Sequence, residues 1–461
     1  MTPTAGIALP SQAAAIYEGI CDLPIVSPHG HCDPSWWAND EAFPNPSALL
    51  IQPDHYVFRM LYSQGVPLEN LGIGPKGQGR DPREVFQIFA AHWHLFAGTP
   101  SRQWLDHTFT HVLNIDWALS PDTADQIYEQ IADKLKTDAY KPRALFDRFN
   151  ISHLATTDPA NATLGDHKAI ENSEWGGCVI PTFRPDDLLN PTRAGHRAAL
   201  VALAQMTGRN VQDYSGFLDA LRDRRSAFRA AGATATDHDV PQLMTHWLDR
   251  GKIESLHSSA LNGSITEAEA QVYYGHMLTE MAQMSVEDGM VMQVHAGSSR
   301  NTNQHLFETI GPDMGSDIPM PTNWVGGMAA LLNRVGNVPN LRIILFTLDE
   351  STYARELAPM AGHWPCLRIG PPWWFHDSLN GIRRYFDAVV ETAGYHNLAG
   401  FNDDTRAFLS IPARHDLWRR GVALHLADQI DLGVLSKPEA ADIAQLLAHD
   451  LAIKTYRLEE T

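Results

Sequence analysis

LPIVSPHGH, residues 23–31, joins a short apolar, β-prone run to two histidines one residue apart. Seven later runs have the same form: an apolar stretch that ends in a polar or aromatic group and leads into a helical pattern. They are ISHLATTD ending at Asp158, GCVIPTFR at Arg184, RAAGATATDHD at Asp239 and GMVMQVHAG at Gly297, then LRIILFTLD at Asp349, CLRIGPPWW at Trp374 and HNLAGFNDD at Asp404. Strand-then-helix alternation reads as parallel βα units. With the first run they supply the eight strands that close a barrel, so the fold class expected is α/β, a (β/α)8 TIM barrel.

Helical patterns fill the gaps, among them GHRAALVALAQ, AEAQVYYGHMLTEMAQM and WVGGMAALLNRV. The gap between the first two runs is far too long for a βα connection. The spans expected are 1–34 for an N-terminal helix and first strand, 35–150 for a mainly helical insertion, 151–410 for the remaining barrel and 411–461 for closing helices. Ser120-Pro121-Asp122 and Ser436-Lys437-Pro438 read as helix starts.

The 461 residues carry 35 Lys plus Arg against 54 Asp plus Glu, a net charge of −19. Such a balance argues against nucleic acid or an anionic membrane as partner. An anionic substrate would then need local positive charge from a metal or selected arginines. Four cysteines without a CxxC pair fit a reducing, cytoplasmic compartment. No basic, apolar leader is expected in MTPTAGIALPSQAAAIYEGI, and no run reaches the roughly 18 apolar residues of a membrane span. A homo-oligomer is compatible with the sequence.

Barrel enzymes carry their chemistry at the C-terminal ends of the strands. Those ends offer His29 with His31, Asp158, Arg184, Asp237 with His238, His295, Thr347 with Asp349, Trp373 with Trp374, and Asp403 with Asp404. Residues two apart on a strand share a side, so His29 and His31 could enter one coordination sphere. Imidazole suits Zn and other first-row divalent ions. A second pair, His92 and His94, lies in a helical pattern where i and i+2 diverge, and is read as packing or surface. A carboxylate from the eighth run, Asp403 or Asp404, could complete a metal site and carry a proton. Arg184, Arg300 and Arg406 each follow a strand end. Taken singly each is as readily a surface ion pair; three on the rim of an acidic chain point to a carboxylate substrate.

In order along the chain, HGHCDP (29–34), PDHYVFR (53–59), TTDP (156–159), PTFRPD (181–186), ATDHDV (235–240), VHAGSSRNTNQHLFETIGPDMGSD (294–317), GPPWWFHDSLNGIRR (370–384) and DDTRAFLSIPARHDLWRR (403–420) resemble the uronate (glucuronate) isomerase family of the amidohydrolase superfamily. The resemblance implies an amidohydrolase-type barrel. It implies His29, His31 and Asp404 as ligands of a divalent metal, most simply Zn, and Asp404, Tyr56 and His55 as catalytic residues. Arg184, Arg300, Arg406, His295, Trp373 and Trp374 would contact substrate. The reaction implied is aldose–ketose isomerisation of a sugar acid, D-glucuronate to D-fructuronate or D-galacturonate to D-tagaturonate, through a cis-enediol, with no nicotinamide or flavin. The chain departs from the family pattern at Ser27-Pro28, at FTLDES (346–351) and at Gln103-Trp104-Leu105-Asp106. Two other readings share these residues: a metal-dependent hydrolase or decarboxylase of the same superfamily acting on a carboxylated small molecule, and a non-catalytic sugar-acid binder.

Overall fold

A computed structural model describes residues 7–460, so residues 1–6 and 461 of the expected spans lie outside it. The parallel strands are Ile25–Ser27, Ile151–Ala155, Val179–Ile180, Ala235–Val240, Val291–Ala296, Ile343–Thr347 and Leu367–Ile369. The second continues past a break as Asp158–Pro159 and the third as Phe183–Arg184. Each pairs in parallel with its sequence neighbour.

The eighth position is thinner than the sequence implied. HNLAGFNDD contributes one bridge, Leu398 to Ile369, and a hydrogen bond from Ala399 N to Ile369 O of 2.9 Å. Gly400 ends regular pairing there, with φ +84° and an added Cβ only 2.5 Å from Ala452 N. Closure comes from the rim: Asp404 N donates to His29 O (3.2 Å) and His31 N to Thr405 O (2.9 Å). With those bonds the first and last segments meet and the ring is complete.

The central strands are buried on both faces, as parallel strands under helices must be. Alternation sorts their side chains. Ala235, Val291, Ile344 and Phe346 face the barrel interior with Val26, Ala155, Ile180 and Ala399. Met292, Val294, Ile343 and Leu345 face outward against the helices. Tyr456, from the C-terminal helix Leu451–Tyr456, packs into the same interior cluster, where its hydroxyl donates to Gln293 Oε1 (3.1 Å). By the same period of two, Asp237 and Asp239 follow Ala235, and His295 follows Val291. All three therefore project inward at the C-terminal end.

Among residues 28–150 the regular elements are all helical. Helix Pro82–Ala91 buries Val85, Phe86, Phe89 and Ala90, and Ala124–Leu135 buries Ile127, Ile131 and Leu135, in a core that continues onto Ile25, Ile151 and Leu154 of the barrel. The second of these starts three residues later than Ser120-Pro121-Asp122 suggested. Thr123 Oγ1 accepts from Ser120 N (3.0 Å), so the serine closes a turn rather than capping the helix. Ser436 does cap its helix, in a capping box with Glu439. No helix among the described residues is long and apolar enough to cross a membrane.

Candidate metal and substrate site

The first strand stops hydrogen-bonding at Ser27, so His29 and His31 lie beyond it and are not aligned by strand alternation. They converge because the rim turn is fastened to the eighth segment. Asp404 Oδ1 lies 2.9 Å from His31 Nε2 and 3.5 Å from His29 Nε2. Asp404 has φ +42°, a left-handed conformation that costs a non-glycine residue about 1–3 kcal/mol and recurs where function fixes geometry. Asp403, the rival carboxylate, turns the other way, to His415 Nε2 at 3.2 Å.

His295 joins this group. Its ring stacks on His29 with centroids 4.8 Å apart and on Phe346 at 4.3 Å. Its Nδ1–H donates to Asp237 Oδ1 (2.7 Å), while its Nε2 is buried without a hydrogen-bond partner among the described residues. A carboxylate behind one ring nitrogen and an orphan lone pair on the other is how ligating imidazoles are held. Ligand atoms of His29, His295 and Asp404 all lie within 4.8 Å of one another. Two imidazoles and a carboxylate at that spacing fit a divalent first-row cation. His295, expected at the substrate wall, thus stands in the metal-competent triad, and His31 stands beside it.

Burial opposes the Asp404 charge, yet hydrogen bonding and charge from His29 and His31 hold its carboxyl well below the ordinary range. Burial likewise opposes the Asp237 charge, and His295 and Arg184 override it. Burial pushes the His295 imidazole down against the pull of Asp237.

The triad opens into a cavity of about 770 Å³. One wall is an alternating chain of charges. Asp237 meets Arg184 (3.3 Å), which meets Asp186 (2.8 Å). Arg193 bridges Asp186 (3.7 Å) to Asp239 (2.9 Å), and Arg300 bridges Asp239 (3.0 Å) to Asp317 (2.8 Å). Burial raises the Asp186 carboxyl to about 6, although Arg184 and Arg193 pull it down. Arg406 differs: its ion pair is with Asp313 (2.8 Å), and both side chains are more than a third exposed.

The far wall comes from the insertion and from the seventh rim segment. Asp54 Oδ1 accepts from Tyr56 N (2.8 Å) and so starts helix His55–Ser63 at His55. The His55 ring stacks on Trp374 at 4.2 Å, and both its nitrogens are buried without partners among the described residues. Burial, then Arg406, pushes that imidazole well down. Trp373 and Trp374 line the cavity with His55; Tyr56 does not. The Tyr56 ring stacks on His55 (centroids 5.0 Å), lies 5.6 Å from Trp374 and meets Trp104 edge-on at 5.2 Å. His92 and His94 lie at the end of Pro82–Ala91 and outside the cavity, as the helical pattern indicated.

Residues 7–456 match the sequence model of the glucuronate isomerase family.

The chain belongs to the glucuronate isomerase family.

A uronate isomerase of Rhizorhabdus wittichii is 53% identical over 446 residues, covering 97% of this chain and 95% of that one. The crystal structure of glucuronate isomerase from Caulobacter crescentus superposes with a TM-score of 0.96 at 47% identity, covering 98% and 95% of the two chains. That of uronate isomerase from Thermotoga maritima gives 0.92 at 27% identity, covering 96% and 97%. Membership of the glucuronate isomerase family makes the chain an isomerase built on an amidohydrolase-type barrel. It also removes support from the hydrolase, decarboxylase and binder readings. Arg193 was missed as a site residue, and Asp237 was named at a strand end without a role. Asp237 was legible by its period-two step from Asp239, whereas Arg193 sits in a loop with no pattern to mark it.

Proposed function

We propose that the chain interconverts aldose and ketose hexuronates, D-glucuronate with D-fructuronate and D-galacturonate with D-tagaturonate. The observation that carries this reading is one rim cavity, in a member of this family, that joins the His29, His295 and Asp404 triad to the partly exposed Arg406.

The reaction moves one hydrogen from C2 to C1 and one proton from O2 to O1. Carbon oxidation levels exchange within the molecule, so no nicotinamide or flavin takes part. A single carboxylate on one face of a cis-enediol reaches both carbons, and Asp404 is assigned to take the C2 proton and return it at C1. His55, unpartnered among the described residues, is assigned to the oxygen protons, with Tyr56, stacked on its ring, assisting at the carbonyl or hydroxyl oxygen. Arg406 holds the sugar carboxylate. Arg184 and Arg300, already engaged by aspartates, contribute field and shape, and Trp373 and Trp374 cover the sugar. A divalent cation, Zn first by its ligand preferences, held by His29, His31, His295 and Asp404, would polarise substrate oxygens when bound.

The small-molecule sugar acid is the partner this reading requires. Four free cysteines fit a reducing compartment, and we place the enzyme in the cytoplasm. Incubation with Zn and each uronate in deuterated water tests the reaction. Ketose carrying deuterium at C1 is expected in the exchange-competent case, and ketose formation with or without label upholds the isomerase. Absence of ketose from both uronates overturns it.

A further inference from the structure

The helix Ile411–Asp431 buries a guanidinium directly behind the site. Arg414 is 1% exposed. Its Nη1 donates to Asp377 Oδ2 (2.8 Å) and lies 3.3 Å from the carbonyl oxygen of Asp403, the residue before Asp404. Its Nε donates to Ser410 Oγ (3.2 Å). The guanidinium carbon lies over the ring of Trp104 at 3.8 Å and over Tyr56 at 5.1 Å.

These contacts come from three separate walls. Tyr56 and Trp104 belong to the insertion. Asp377 closes the turn that begins at Trp373 and Trp374, since its N–H donates to Trp374 O (3.2 Å). Asp403 precedes the left-handed Asp404. A planar fork can serve such divergent acceptors while its face lies on aromatic rings, and an ammonium cannot. The guanidinium is thus held both by stacking on a desolvated indole and by a charge-assisted hydrogen bond in a dry site.

We propose that Arg414 is a positioning residue for the isomerisation: it locks the insertion, the tryptophan turn and the eighth rim segment together, and so fixes the Asp404 carboxylate against the substrate carbons. This rests on the function proposed above. Arg414 is buried and does not line the cavity, so its loss falls on kcat rather than on KM. Proton transfer to carbon is steep in distance, and displacement of a reacting group by about 1 Å costs roughly a hundredfold.

The test separates positioning from bulk stability. Arg414→Met alone strands Asp377 as an unpaired buried charge and is expected to lower the melting temperature. Arg414→Met with Asp377→Asn removes both charges, and its melting temperature is expected to return toward the wild-type value. Its kcat should stay at least about tenfold down, with KM for the uronate within about threefold. Arg414→Lys keeps the charge and loses the fork; it should fold and lose at least about fivefold in kcat at unchanged KM. Wild-type kcat in a folded double variant, or in Arg414→Lys should the double variant not fold, overturns the proposal. A wild-type protein that isomerises neither uronate would instead overturn the function on which it rests.

Discussion

The Asp404 amide donates to the His29 carbonyl across 3.2 Å, which places the side chains of the eighth and first segments in one shell at the barrel mouth. Regular strand pairing contributes little there. The backbone bond, and its companion from His31 to Thr405, bring the triad together before any side chain is considered.

Asp404→Asn keeps the shape and removes the base. We predict a loss in kcat of about 10²–10⁴-fold, the usual scale for general acid–base catalysis. Proton exchange at C2 into deuterated water should fall in parallel. Activity within threefold of wild type would exclude Asp404 as the proton carrier.

Arg406 and Arg300 should fail in different ways. Arg406→Met removes a half-exposed cation with one aspartate partner, so the protein should remain stable while kcat/KM falls about 10–100-fold, mostly through KM. Arg300→Met leaves Asp239 and Asp317 without their shared cation in a largely buried wall, and it should lower the melting temperature as well. Steady-state kinetics beside thermal melts distinguish them.

Chelation should abolish turnover, and Zn should restore it. Binding also stabilises the fold by linkage, about 2.7 kcal/mol at a hundredfold excess over Kd. A chelator-treated sample should therefore melt at a higher temperature once Zn is added, and His295→Ala should blunt that rise. An unchanged melt with bound metal undetected by elemental analysis would dismiss the site.

His425 offers a pH prediction away from the site. Burial pushes its imidazole from the ordinary 6.5 down to about 4, with Asp387 and Asp428 opposing; the ring is 5% exposed and stacks on Phe386 at 4.7 Å. An unfolded chain takes up this proton near pH 6.5 and the folded one only near 4. The stabilisation is present above pH 6.5 and drains away as pH falls from 6.5 to 4, by up to about 3 kcal/mol. Urea midpoints of His425→Phe should fall less steeply over that window than those of wild type. Parallel curves would remove His425 as a source of acid lability.

The eight-run pattern was legible because parallel strands under helices read as apolar stretches, and the rim position follows from that class of fold. The convergence of His29 and His31 was reached from strand alternation, whereas the structure achieves it with an irregular turn beyond Ser27. The eighth strand read as regular because Leu398, Ala399 and Phe401 are apolar; the positive φ of Gly400 interrupts it. Arg193 left no trace, since its partners Asp186 and Asp239 become neighbours only when the third and fourth strands pair.

The ladder of aspartates and arginines from Asp237 to Asp317 constrains how this pocket can diverge. Each inner rung answers to two neighbours, so neutralising one member leaves the charges on either side with one partner fewer. Changes of sign along that wall must arrive as reciprocal swaps, which are rare in single-step mutation. Arg406, tethered once and facing water, is free of that restraint, and new substrate preferences in descendants of this chain should emerge first on its side of the mouth.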